Sequence, residues 1–205
     1  MSSYNSLMKT VTQNKNLAET LNKEDAEKAI EMLIKWIGDN PNREGLKDTP
    51  KRVIKSFLEH FAGYSVNTEE ILSKTFKETE NYTDMVVLRK IDFTSFCEHH
   101  MLPFIGHASI AYFPNKKIVG ISKLARILDA FSKRLQTQEI LTSQIINSIE
   151  EHLQPLGSAI LIEAEHYCMK IRGVQKKDSR MITSQFRGCF LENILMQERF
   201  FNMLK

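Results

Sequence analysis

Met85-Val86-Val87-Leu88-Arg89-Lys90-Ile91-Asp92-Phe93-Thr94-Ser95-Phe96 runs directly into Cys97-Glu98-His99-His100. β-Branched and alternating residues fill the first twelve positions and predict a strand, with a thiol and two imidazoles set at its end. Gly106 to Phe113 has the same character and predicts the next strand. Pro114-Asn115-Lys116 then predicts a turn that returns through Ile118 and Val119. A β-hairpin with Cys/His chemistry between its strands is the centre from which the rest of the chain is read.

Outward from this hairpin the apolar period lengthens to that of helices. Upstream, Asn22 is placed to cap a helix with Ala26, Ile30, Leu33, Ile34 and Ile37 on one face, stopped by Gly38. Thr49-Pro50 predicts an N-cap followed by a first-turn proline, and the helix it opens would bury Val53, Ile54, Phe57, Leu58 and Phe61 before Gly63. Downstream, Ser122 is expected to cap a helix to about Leu135, with Leu124, Ile127, Leu128 and Phe131 as its core stripe. A second helix is expected from about Thr137 to Leu153, turned inward by Leu141, Ile145, Ile149 and Leu153. Ala159 to Arg172 predicts a long strand, Met181 to Phe190 a shorter one, and Glu192 to Leu204 a final helix. The order is that of an α+β fold, antiparallel β-sheet backed by helices, with an N-terminal helical layer. Residues 1–21 are polar and aperiodic and predict a flexible arm, 22–83 a helical region, and 84–205 the domain that carries the chemistry.

Composition narrows the function. The 205 residues suffice for one sizeable core, and no apolar run approaches a membrane span. The polar start has no signal-peptide core, so three cysteines point to a reducing cytoplasm and to thiols used as ligands rather than disulfides. Net charge is 28 basic minus 25 acidic residues, or +3, which argues against a general nucleic-acid binder. An anionic ligand would have to be held by locally placed cations.

The Cys97-His100 segment is answered about seventy residues later by His166-Tyr167-Cys168. Thiolate and neutral imidazole are the ligands zinc prefers, so two such segments predict a zinc site drawn from distant parts of the chain. Strand alternation would put His166, Cys168, Lys170 and Arg172 on one face. Four ligands would close a structural site; three plus water would make a catalytic one, and histidines left over could move protons. Ser122-Lys123-Leu124-Ala125-Arg126 sets two cations in the first turn of a helix, where the macrodipole disfavours them unless an anion binds. Arg52 and Lys55 repeat the spacing after Thr49-Pro50, which favours a polyphosphate ligand. Gln138-Glu139 sets an amide beside a carboxylate at a helix start, and such a carboxylate can accept two N–H bonds from an amidine-like edge such as that of guanine.

These motifs together closely resemble the GTP cyclohydrolase I family. The likeness runs from about Asn22 to the C-terminus, through Arg43-Glu44-Gly45-Leu46, Thr49-Pro50-Lys51-Arg52-Val53, Cys97-Glu98-His99-His100-Met101-Leu102-Pro103-Phe104-Ile105-Gly106, Gly120-Ile121-Ser122-Lys123-Leu124-Ala125-Arg126, Arg134-Leu135-Gln136-Thr137-Gln138-Glu139, His166-Tyr167-Cys168-Met169 and Arg172-Gly173-Val174. The resemblance implies zinc held by Cys97, His100 and Cys168, and an acid-base pair in His99 and His166. It implies Glu139 as the anchor of the guanine edge with Gln138 beside it, and Arg52, Lys55, Ser122, Lys123, Arg126 and Arg172 as triphosphate and ribose contacts. It further implies the tunnelling fold, an oligomeric β-barrel built as a decamer of two stacked pentamers with active sites between subunits. The implied reaction is hydrolysis of GTP to formate and 7,8-dihydroneopterin triphosphate, on the route to tetrahydrofolate and pterins. Ile140 stands where the family commonly has arginine, His107 where lysine is frequent, and Cys189 has no family role; none is a ligand or acid-base position.

Overall fold

The computed structural model describes residues 22–73, 75–76 and 82–205. The arm expected over 1–21 lies outside these residues. The chain divides into two compact units, one ending at Glu59 and one running from His60 to Lys205.

In the first unit, helix α1 spans Lys23–Trp36. Asn22 caps it, its side chain accepting the Asp25 N–H at 2.8 Å, a bond worth about 1 kcal/mol. Glu24 and Asp25 in the first turn and Lys35 in the last suit the helix dipole. Gly38, at φ +95°, provides the left-handed exit that closes the helix. Of the predicted stripe only Ile34 is buried; Leu33 and Ile37 are exposed within the chain. Helix α2, Thr49–His60, begins at the expected Thr-Pro pair. Arg52 and Lys55 lie exposed on it, and Arg52 is 3.7 Å from Asp48.

The second unit continues through a 3-10 turn at Ala62–Ser65, then α3 (Thr68–Ser73) and β1 (Thr75–Phe76). Strands β2 (Val86–Cys97) and β3 (Pro103–Phe113) form the predicted antiparallel hairpin, followed by β4 (Ile118–Val119). Next come α4 (Ile121–Ser132), β5 (Leu135–Gln136) and α5 (Gln138–Leu153). The chain ends with β6 (Gly157–His166), α6 (Tyr167–Lys170), β7 (Met181–Gly188), α7 (Cys189–Glu192) and α8 (Ile194–Leu204). Five strands make one sheet in the order β5-β2-β3-β6-β7, while β1 and β4 pair separately. The fold is therefore a mixed α+β fold with a single main sheet.

Helices α4 and α5 form the core with this sheet. Leu124, Ile127 and Leu128 from one helix, and Leu141, Ile145 and Ile149 from the other, are fully buried with Phe104, Ile110, Ile160 and Ile162. These are the positions that the 3.6-residue stripe marked. A smaller cluster gathers Met85, Ala111, Ala159, Phe190 and Phe200. Gly106 permits the closest approach of β3 to β6, since a methyl group there would lie 1.9 Å from the Glu163 carbonyl oxygen.

Three expectations are corrected. Ser122 is not the cap: α4 starts at Ile121 after Gly120, with no side-chain cap bond. The same helix stops at Ser132, because Leu135 and Gln136 leave it to pair in parallel with Phe96 and Cys97. The strand expected to reach Arg172 ends at His166, so the alternation that aligned His166, Cys168, Lys170 and Arg172 on one face does not apply. Its last partner on β3 is Phe104, and the preceding residue, Pro103, has no N–H to extend the ladder.

Candidate metal and active site

The ends of three neighbouring strands meet at one end of the sheet. Phe96 pairs with Pro103, and Phe104 pairs with His166, so the end of β2, the start of β3 and the end of β6 lie side by side. The hairpin turn is closed by Cys97 N–H donating to Leu102 O at 2.8 Å and Met101 N–H donating to Cys97 O at 2.8 Å, with Met101 at φ +52°. Pairing of Cys97 with Gln136, and the Glu98 N–H bond to Gln136 O at 3.0 Å, bring the start of α5 to the same place.

At this edge Cys97, His100 and Cys168 each direct a ligand atom into one cluster, all within 4.8 Å of one another. Cys97 is buried, Cys168 half-buried and His100 exposed. Cys97 Sγ lies 3.8 Å from His100 Nδ1. Ligands bound tetrahedrally to zinc at about 2.0–2.3 Å are roughly 3.3–3.8 Å apart, so the Cys97–His100 spacing and the soft donor set fit such an ion. His99 Nδ1 is also 3.8 Å from Cys97 Sγ, but His100 is the histidine that meets both thiols. Burial and the neighbouring Cys97 push the Cys168 thiol above its ordinary pKa, with Arg172 opposing more weakly.

His166 stands two residues before Cys168. Its ring stacks on Phe104 with centroids 4.7 Å apart and planes 2° from parallel. Its Nε2 is 2.9 Å from Gln138 Oε1. Burial lowers its pKa, and the negative charge of Glu139 partly restores it. Glu139 itself is exposed on the first turn of α5, whereas Gln138 is completely buried. That is a departure from the expected pairing at a ligand edge, because the Gln138 amide is bonded within the protein. Ser122, Lys123 and Arg126 occupy the beginning of α4, where the Lys123 N–H donates to Gly120 O at 2.8 Å while the side chains of Lys123 and Arg126 make no hydrogen bond or ion pair with another described residue. Arg172 follows α6 in an exposed loop, near enough for its charge to act on Cys168. Arg52 and Lys55 belong to the first unit, on α2.

The family described as GTP cyclohydrolase I matches residues 26–205 of this sequence. The chain belongs to the GTP cyclohydrolase I family. Its relatives include GTP cyclohydrolase 1 of Allorhizobium ampelinum, 50% identical over 183 residues that cover 89% of this chain and 91% of that one. GTP cyclohydrolase 1 of Bartonella quintana is 50% identical over 182 residues, 89% of this chain and 88% of its own. That of Hyphomonas neptunium is 52% identical over 180 residues, 88% and 87% respectively. Within this GTP cyclohydrolase I chain, Phe104, Thr142 and Thr183 are site-supporting residues that the sequence reading did not single out. Phe104 had a signal, since it stands at the start of β3, directly after the turn that carries Cys97, His99 and His100. The threonines had none, because their contact depends on how α5 lies against β7.

Proposed function

We propose that this chain is a zinc-dependent GTP cyclohydrolase I that hydrolyses the guanine imidazole ring of GTP, releases C8 as formate and forms 7,8-dihydroneopterin triphosphate. The observation that carries the reading is the meeting of Cys97, His100 and Cys168 beside His166 in a member of this family. Two thiolates and one imidazole would hold zinc and leave its fourth position open. Zinc held by these three residues would supply Lewis-acid activation of water near neutral pH.

The chain's own groups do the rest. His99 and His166, not needed as ligands, carry the protons: one is delivered to guanine N7, which leaves C8 electron-poor, and others move as the ring opens. Burial favours the neutral form of His166, ready to accept a proton. Glu139 receives two N–H bonds from N1 and the exocyclic amine of guanine. Ser122, Lys123, Arg126 and Arg172, with Arg52 and Lys55, hold the triphosphate and ribose; Gln138 stands behind these groups rather than among them. The sheet would close with those of other subunits into the barrel of the tunnelling fold, as a cytoplasmic decamer of two stacked pentamers with active sites between chains.

Purified protein with zinc and GTP should release formate and a pterin that fluoresces after oxidation, and a chelator should stop both. Protein that binds one zinc per chain yet leaves GTP intact would overturn the reading and make this a binding protein on an enzyme's scaffold.

A further inference from the structure

Gln138 is fully buried, and the orientation of its amide follows from its neighbours. Nε2 lies 3.1 Å from each of Ile162 O, Met181 O and Thr183 Oγ1. Carbonyl oxygens only accept, so the amide nitrogen must face them; the flipped amide would set oxygen against oxygen. The threonines agree with this assignment. Thr142 O–H donates to the Gln138 backbone carbonyl at 2.7 Å, so the 2.7 Å contact between the two hydroxyls uses the Thr183 proton. Thr183 Oγ1 therefore keeps a lone pair for Gln138 Nε2. Oε1 is left facing His166 Nε2 at 2.9 Å. An amide oxygen cannot donate, and so the hydrogen in that bond belongs to the imidazole.

We propose that Gln138 is a positioning residue that holds His166 in its Nε2–H tautomer and leaves Nδ1 as the acceptor nitrogen of the ring. The proposal rests on the reading of His166 as a proton carrier. Phe104 strengthens the hold: with the two rings stacked, a half-turn of the imidazole would set Cε1 against Oε1 and lose the bond. Gln138 thus acts on the reaction through His166, without touching guanine.

Zinc-loaded protein carrying ¹⁵N,¹³C-histidine would be studied by solid-state correlation spectroscopy, with His166 assigned by its loss in His166→Gln. The expected signal is the Nε2–H tautomer. In Gln138→Met the signal should divide between tautomers, and kcat for formate release should fall at least about tenfold while KM for GTP stays within about twofold and zinc content is unchanged. An Nδ1–H tautomer in the unaltered protein overturns the proposal, as does a Gln138→Met enzyme with raised KM and full kcat, which would place the amide on the substrate. Should that variant fail to fold, the spectrum of the unaltered protein decides alone. Absence of formate from the unaltered protein, with His166 still Nε2–H, would sink the proposed function and leave the tautomer assignment standing.

Discussion

Burial and the Cys97 sulfur together make the Cys168 thiolate costly to form when no cation lies between the two. A bound cation reverses the balance, since both sulfurs then ionise against it and release protons. Cys168→Ser is therefore expected to lose both zinc and turnover, checked by metal analysis and formate release on one preparation. His99→Ala is expected to keep its zinc while kcat falls by about a hundredfold or more; loss of metal there would mean that His99 and His100 exchange places. The two Cys/His segments were legible in the sequence because Cys and His at such spacing have few other uses, while the choice of His100 over His99 came only with the family resemblance. Gln138 and Glu139 were not separable in the same way. Helical neighbours point about 100° apart, and nothing in the sequence fixes which way the first turn of α5 faces. One turned wholly inward and its neighbour stayed outside.

Strand β6 shows how far periodicity carries an element. Its alternating pattern continues to Arg172, yet the strand stops where β3 offers Pro103 and no further donor, a limit written in the partner strand rather than in β6. The helices were more legible, because the stripes of α4 and α5 are answered by one continuous core. Gly106→Ala should destabilise the domain by roughly 1–3 kcal/mol, read as a lower denaturation midpoint, since a methyl there meets backbone that cannot step aside. At the end of β6, Lys170 at 2.5 Å and then Arg180 at 2.9 Å hold the Glu165 carboxyl below its ordinary pKa. A depressed carboxylate stabilises the fold above its unfolded pKa and loses that contribution as pH falls through the folded one. Glu165→Gln should consequently flatten the fall of Tm below about pH 4.5, measured by thermal melts across the acid range.

Among the described residues, several large apolar side chains stand open to solvent. Ile182, Leu191, Ile194 and Leu195 are all more than 60% exposed, and β7, which carries Ile182, is an outer strand of the sheet. In the first unit Trp36 and Ile37 are similarly open. None of this was legible from composition: Ile37 fits its helical stripe as well as Ile34 does, and a stripe does not say whether the same chain or another covers it. Within the proposed assembly these faces would be covered by neighbouring subunits. Ile182→Lys and Leu195→Asp should shift the sedimentation profile toward smaller species and reduce formate release in step. Variants that sediment unchanged would place the subunit contacts elsewhere.

The bonds around Gln138 have a last consequence for how a metal at the cluster would come and go. Amide, threonines and imidazole satisfy one another through bonds that use none of Cys97, His100 or Cys168, so these bonds do not depend on what the cluster holds. Loading then resembles the filling of a socket more than the folding of a finger. A stripped enzyme should keep its melting profile, with faster amide exchange confined to the turn at 97–102, and should regain full turnover on simple dialysis against zinc, with no refolding step.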